Sequence, residues 1–216
     1  MTIHLAKLTL TPRRPDVARD LADPYDMHRT LSRAAVLAID DLAPFLWRQE
    51  TSGPTESPVL LVQSEEPLNW EALPEGYLES FAQRSWEPES VLTAGRRLRF
   101  KVTANPTVTT TPPGHEGPAR GNRKRMGLRT EPEQLAWIQR QCNRLGLVDP
   151  DAAVLASGVI KTHRKPGHAI TVCVAELEGT AVIGDPAALG AGIRAGIGHA
   201  RMLGLGLFTV APVYKS

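Results

Sequence analysis

The sequence predicts an α+β fold of two ferredoxin-like βαββαβ units in tandem. Three observations point there. The order strand, helix, strand, strand, helix, strand can be read twice along the chain. A helix in each half opens on an Asp-Pro cap signature, at Asp23–Pro24 and Asp185–Pro186. Residues Glu87–Gly95 read as a linker, which places the units at 1–88 and 96–216.

The first unit opens with Ile3–Leu10, where apolar and β-prone residues alternate. Asp23 as N-cap, Pro24 at the first helical position and Asp26 closing the cap predict a helix running to about Asp40. Strands at Pro44–Gln49 and Pro58–Gln63, a weak helix around Trp70–Leu73 and a strand at Tyr77–Phe81 complete the unit. The second begins with the strand Arg96–Ala104, followed by a long Thr-, Pro-, Gly- and Arg-rich loop, Asn105–Gly127. Thr130 with Glu133 forms a capping box for a helix over Glu131–Leu145. Strands at Ala153–Thr162 and Ala169–Val182 flank a basic turn, His163–His168. A Gly/Ala-rich helix and a last strand, Gly206–Val213, end the chain.

With 216 residues, 42% hydrophobic and 22% charged, the composition is that of an ordinary globular protein. No apolar run reaches the roughly 18 residues of a membrane span, and Met1–Arg14 lacks a signal peptide's apolar core. A cytoplasmic location and no membrane partner are expected. Cys142 and Cys173 are too few for a disulfide framework or a zinc cluster and read as two reduced thiols. The net charge is only +2, but its distribution is uneven. Between 96 and 129 lie Arg96, Arg97, Arg99, Lys101, Arg120, Arg123, Lys124, Arg125 and Arg129, with Glu116 the single acid. Such a segment is either a solvated basic loop or the footprint of a phosphate-backbone binder.

Two groups of residues can carry chemistry. On the Pro24–Asp40 helix, Met27, Leu31, Ala34 and Ala38 share one stripe, the buried face. Tyr25, His28, Arg29, Ser32 and Arg33 lie on another arc, with Tyr25 and His28 neighbours at i, i+3. Attack of an RNA 2′-hydroxyl on its own phosphate needs a base, an acid and positive donors for the phosphorane. An imidazole, a phenol and guanidiniums on one face meet those needs. The bland alternative is a surface histidine beside a tyrosine that covers the core. The second group is Gly196-Ile-Gly198-His-Ala-Arg201-Met-Leu-Gly204-Leu-Gly206, just before the last strand. Glycines there allow close approach of another chain or a phosphate. It is not a nucleotide-binding fingerprint, since it lacks the P-loop ending and does not open a βαβ unit.

The stretch Asp23-Pro-Tyr-Asp-Met-His28-Arg-Thr-Leu-Ser32, the strand end Arg99-Phe-Lys-Val-Thr-Ala-Asn-Pro106, the helix Glu133-Gln-Leu-Ala-Trp-Ile-Gln-Arg140 and the segment Gly196–Pro212 together resemble the CasE family. These are the endoribonucleases of type I-E CRISPR systems, and the resemblance runs over essentially the whole chain, in order. It implies two ferredoxin-like, RRM-like domains that bind the repeat hairpin of precursor CRISPR RNA and cut at its 3′ base. The cut is metal-independent and cofactor-free, leaves a 5′-hydroxyl and a 2′,3′-cyclic (or 3′-) phosphate, and the product stays bound within the Cascade complex. The family's catalytic tyrosine and histidine fall on Tyr25 and His28. Its later basic residue, often lysine, falls on Arg33, which can hold charge but cannot act as a base. Its RNA-binding surface falls on Arg29, Ser32, Lys101 and Arg201, on the groove loop with Arg120, Arg123, Lys124, Arg125 and Arg129, and on the turn with Lys161, His163, Arg164 and Lys165. Gly196, Gly198, Gly204 and Gly206 form the glycine-rich loop.

Two other classes remain open to the sequence. One is a non-catalytic RNA-hairpin-binding module on the same fold. The other is a metal-dependent nuclease or phosphatase, disfavoured by the absence of HxH, DxD or HxxxD patterns beside a strand end. Neither a metal nor a small-molecule substrate is expected.

Overall fold

The structure, a computed structural model, describes residues 2–38, 41–50, 53, 56–110, 124–165 and 168–213, with backbone alone at 37, 38, 41, 124, 163–165, 168 and 169. The first half contains β1 (Ile3–Leu10), α1 (Pro15–Ala22), α2 (Pro24–Leu31), a 3₁₀ turn (Ser32–Ala35), β2 (Val36–Ala38) and β3 (Asp41–Leu42). It continues with β4 (Phe45–Glu50), β5 (Val59–Ser64), a second 3₁₀ turn (Trp70–Ala72) and β6 (Leu78–Trp86). The short helix α3 (Pro88–Val91) leads to β7 (Arg97–Ala104), β8 (Thr107–Thr110), β9 (Lys124–Gly127), α4 (Glu131–Arg144), β10 (Leu147–Lys165), β11 (His168–Ile183) and α5 (Pro186–Ala195). A 3₁₀ turn (Arg201–Leu203) precedes β12 (Thr209–Pro212).

Both large sheets are antiparallel and share one topology. The first runs β4-β5-β1-β6 and the second β10-β11-β7-β12, so each opening strand is central and each closing strand lies beside it. That is the ferredoxin-like order, repeated as the sequence predicts. In the first unit the second helix has shrunk to the turn at Trp70–Ala72.

Each unit has its own apolar core. Leu8, Leu10, Met27, Leu31, Trp47, Leu60 and Tyr77 anchor the first; Phe100, Val102, Trp137, Ile138, Leu177, Leu189 and Phe208 anchor the second. The predicted stripe Met27, Leu31, Ala34 is buried, while the side chain of Ala38 lies outside the described residues. Both cysteines are buried free thiols, and burial pushes Cys142 up to about 12.

Four expectations are corrected. Helix α1 was not foreseen, because its short, highly charged stretch offers only Val17 and Leu21 as an apolar i, i+4 pair. Helix α2 stops at Leu31 instead of reaching Asp40, because tertiary donors take the next carbonyls. Asn69 N donates to Ala34 O at 2.8 Å and Ala43 N to Ala35 O at 2.8 Å. Asp26 does not close the cap but pairs with Arg29 at 3.0 Å, leaving Asp23 to accept from Tyr25 N at 2.9 Å. The stretch read as one loop from Asn105 has an ordered base, the antiparallel pair β8–β9 with Thr107 opposite Gly127. The other two caps follow the sequence: Glu133 accepts from Thr130 N, and Asp185 from Ala187 N and Ala188 N.

The two units are joined by polar contacts from β4, β5 and the cap of α2. Arg48, 2% exposed, donates to Glu50 (2.5 Å), to the carbonyls of Lys101 (2.9 Å) and Leu207 (3.0 Å), and to Thr209 Oγ1 (3.1 Å). Gln63 donates to Ile193 O at 2.8 Å, and Thr162 of β10 to Asp23 Oδ1 at 2.5 Å, so the cap of α2 is tied to the opposite unit. Gly204 lies against the ring of Trp47. A Cβ there would sit 2.9 Å from that ring, on a backbone at φ +74°.

Gly204→Ala should therefore lower stability by about 1–3 kcal/mol through left-handed strain and overpacking. Arg48→Met should cost about 3 kcal/mol by stranding the groups it satisfies. Urea unfolding curves check both; values within about 0.5 kcal/mol of wild type would contradict this account of the interface.

Candidate active site and nucleic-acid interface

Helix α2 packs its C-terminal turn beside β4 and the 3₁₀ turn Arg201–Leu203, and this sets His28 at the junction of the two units. His28 is half-buried, not on an open face as the periodicity implied. Its ring stacks on Phe45 with centroids 4.9 Å apart and planes 25° from parallel. Nδ1 is buried without a hydrogen-bond partner, so solvent reaches the imidazole through Nε2. Burial holds His28 below its ordinary pKa of 6.5, which makes it a neutral imidazole at neutral pH. A cavity of about 410 Å³ opens over it, walled by Ser32, Pro44, Phe45, Ser64, Arg194 and Arg201 among others.

The predicted site residues separate into those that meet at this cavity and those that do not. Ser32 lines it, but its hydroxyl donates back to His28 O at 2.8 Å and so closes the helix end. Arg201 lines it from the second unit. Tyr25, one turn before His28, is half-buried against Val172, Leu203 and Leu205. Its ring therefore packs, as the bland alternative held, and it does not line the cavity over His28. Arg29 is largely exposed and paired with Asp26, and Arg33 is exposed on the 3₁₀ turn. Lys101 departs most from expectation: its ammonium is held by Glu176 at 2.8 Å and Glu50 at 3.2 Å, inside the interface network. Burial pushes Glu50 up, but Arg48 and Lys101 outweigh it and hold the carboxyl below its ordinary value.

Of the basic segments, Arg125 and Arg129 are exposed at and just beyond β9, and Lys161 is exposed on β10. Arg120 and Arg123, together with the side chains of Lys124, His163, Arg164 and Lys165, lie outside the described residues. The glycine-rich segment does something other than wrap a phosphate at most of its glycines. The amides of Gly196, Gly204 and Gly206 donate to the carbonyls of Gly192 (2.9 Å), Arg201 (3.1 Å) and Thr103 (2.7 Å). A Cβ on Gly206 would come 2.3 Å from Ile197 O, so the segment folds tightly on itself and on β4. It brings Arg201 to the cavity that His28 lines and packs against Leu46 and Trp47 of β4.

Sequence reasoning missed Phe45, Arg194 and His199. A β-strand aromatic gives no sign that it will stack on a histidine 17 positions earlier (45 − 28). Arg194, paired with Glu89, is on a helix read only as Gly/Ala-rich. His199 was in plain view within the glycine-rich segment. Among the described residues no three His, Cys, Asp or Glu side chains come together, and no helix is long and apolar enough to cross a membrane.

Comparison with known proteins agrees with this architecture. The chain is 36% identical over 220 residues to the "CRISPR-associated endoribonuclease Cse3" of Thermus thermophilus, covering 96% of this chain and 99% of that protein. It is 28% identical to the "CRISPR system Cascade subunit CasE" of Escherichia coli K12, over 98% of this chain and 91% of that one. Thermus thermophilus Cse3 bound to an RNA representing a pre-cleavage complex superposes with a TM-score of 0.84 at 35% identity, covering 98% of this chain and all of that one. Escherichia coli Cas6e gives a TM-score of 0.62 at 25% identity, over 97% of this chain and all of that one. The family model described as "CRISPR associated protein" matches residues 3–212. This chain belongs to that CRISPR-associated family, with the two-domain ferredoxin-like fold of Cse3 and Cas6e.

Proposed function

We propose that this protein is the CRISPR RNA-processing endoribonuclease of a type I-E system. It binds the repeat stem-loop of precursor CRISPR RNA, cuts at the 3′ base of the hairpin and stays on its product as a subunit of Cascade, in the cytoplasm. The observation that carries the reading is His28, a half-buried neutral imidazole facing a cavity that Arg201 lines from the other unit, in a chain 36% identical to an endoribonuclease.

The chemistry follows from the residues without a metal ion. His28 Nε2 takes the proton of the 2′-hydroxyl, whose oxygen attacks the adjacent phosphorus. The new bond is 2′-O to phosphorus; the bond broken is phosphorus to 5′-oxygen, and that oxygen receives a proton as it leaves. We assign that proton to the Tyr25 hydroxyl, one helical turn from His28 on α2. Charge on the phosphorane is met by Arg201, which lines the cavity, with Arg33 exposed on the 3₁₀ turn that follows α2. Arg125, Arg129 and Lys161 hold the hairpin backbone by charge. Lys101 is left out of this set because two carboxylates already hold it.

His28→Ala should slow single-turnover cleavage about 100-fold or more while hairpin affinity changes by less than about 1 kcal/mol. Tyr25→Phe should cost less, since water that reaches the cavity can also supply a proton. Equal cleavage by His28→Ala would leave the binding-module reading in possession. Cleavage should persist in excess EDTA and stop on a substrate with one 2′-deoxy nucleotide at the scissile position. A reaction halted by EDTA, or a cut deoxy substrate, refutes the mechanism. The pH profile of kcat/KM, which reports the free enzyme, should rise with pH through a limb centred below 6.5. The sign follows from burial favouring the neutral, base-competent form; a falling limb in that range would give His28 the acid's part.

A further inference from the structure

On the other side of the turn that carries Arg201, a second concavity of about 430 Å³ opens between α4, the strand Thr107–Thr109 and His199. Its floor is the buried ring of Trp137, and its rim carries Arg140 and Arg144, one helical turn apart and both exposed. Among the described residues some arginines face a carboxylate and others, Arg96, Arg97 and Arg99 among them, do not. Arg14, Arg19, Arg29, Arg48 and Arg194 each face a carboxylate. Arg140 and Arg144 have no carboxylate partner among the described residues, and neither do Arg125 and Arg201, whose charges reach His199. Like charges four apart on a helix face destabilise it. Beside that pair stands the exposed His199, whose pKa is lowered by partial desolvation and by the charges of Arg125 and Arg201. An anion entering the concavity would relieve the helix pair and let the histidine protonate.

The turn is itself shaped for display. Gly198 (φ +73°) and the left-handed Ala200 (φ +61°) bracket His199, and a non-glycine residue keeps that conformation only where its surroundings enforce it. His199 thus faces the second concavity while Arg201, two residues on, faces His28. A polyanionic chain reacting at His28 can continue across the turn into the second site.

We propose that Arg140, Arg144 and His199 form a second phosphodiester-binding subsite, which holds RNA backbone away from the reacting linkage. It rests on the RNA-processing reading above. The phosphates could belong to the strand entering the hairpin, to the strand beyond the cut, or to the stem. The test uses the full chain and three uncleavable RNAs with a 2′-deoxy nucleotide at the scissile position: a bare repeat hairpin, one extended at its 5′ side and one at its 3′ side. Arg140→Gln/Arg144→Gln should lose about tenfold in affinity for at least one of them and lower its log-log salt slope by about 1.4, two contacts at about 0.7 each. Arg140→Lys/Arg144→Lys should keep most of the affinity. The RNA that first shows the loss identifies the strand held. On cleavable RNA at saturating protein the double Gln variant should cut at the wild-type single-turnover rate. Wild-type affinity and slope on all three RNAs overturn the subsite, as does a reduced cutting rate at saturation. Wild-type protein that binds none of the RNAs overturns the functional reading and the subsite with it.

Discussion

Arg48 is the group on which the arrangement of the two units depends. Its guanidinium is buried where both sheets meet, and it spends its donors on Glu50 in its own strand and on Lys101, Leu207 and Thr209 across the interface. A buried guanidinium is tolerated only if its charge and N–H groups are answered. The carboxylate of Glu50 answers the charge, and Lys101 and Glu176 extend the set into an alternating chain of cation and anion. Such a network has one geometry that satisfies it, so it sets how the units sit as well as that they adhere.

That geometry reaches the site through β4. Phe45, Trp47 and Arg48 occupy one short strand; the first stacks on His28, the second receives the glycine-rich segment, and the third closes the interface. Any shift between the units therefore moves the imidazole's neighbour and the turn bearing Arg201 together. The Asp23–Thr162 bond adds a second tie. The residue that caps α2 is fastened to Thr162, next to the basic residues 163–165 with which β10 ends. Helix and strand thus connect the expected RNA-holding surface to the element that bears His28.

The position of His28 reconciles two opposing demands. Full exposure would leave its pKa near the ordinary value and its ring free to rotate. Full burial would deny it substrate. Stacking on Phe45 with Nδ1 inside and Nε2 toward the cavity restrains the ring and keeps one nitrogen available. The orphaned Nδ1 is the cost of this placement, of the kind functional sites sustain.

Much of this was legible beforehand because it is written in local chemistry. Alternation named most of the large-sheet strands, Asp-Pro and Thr-x-x-Glu marked three helix starts, and the i, i+3 spacing set Tyr25 and His28 one turn apart on α2. A family resemblance carried by four separated motifs supplied the activity. What stayed hidden depends on contacts between residues far apart in the chain. Periodicity could not know that Asn69 and Ala43 would take the carbonyls that a longer α2 needed. Composition could not tell Lys101, held by two acids, from Arg125, which none of the described acids holds. Nor could spacing reveal that three of the four glycines in the terminal segment would turn their amides inward. Secondary structure, cores and candidate residues answer to short-range rules and so belong to the sequence. Which cations remain unpaired, and which nitrogen of His28 meets solvent, are decided only when the two units close on Arg48, because only then are partners, burial and dielectric set.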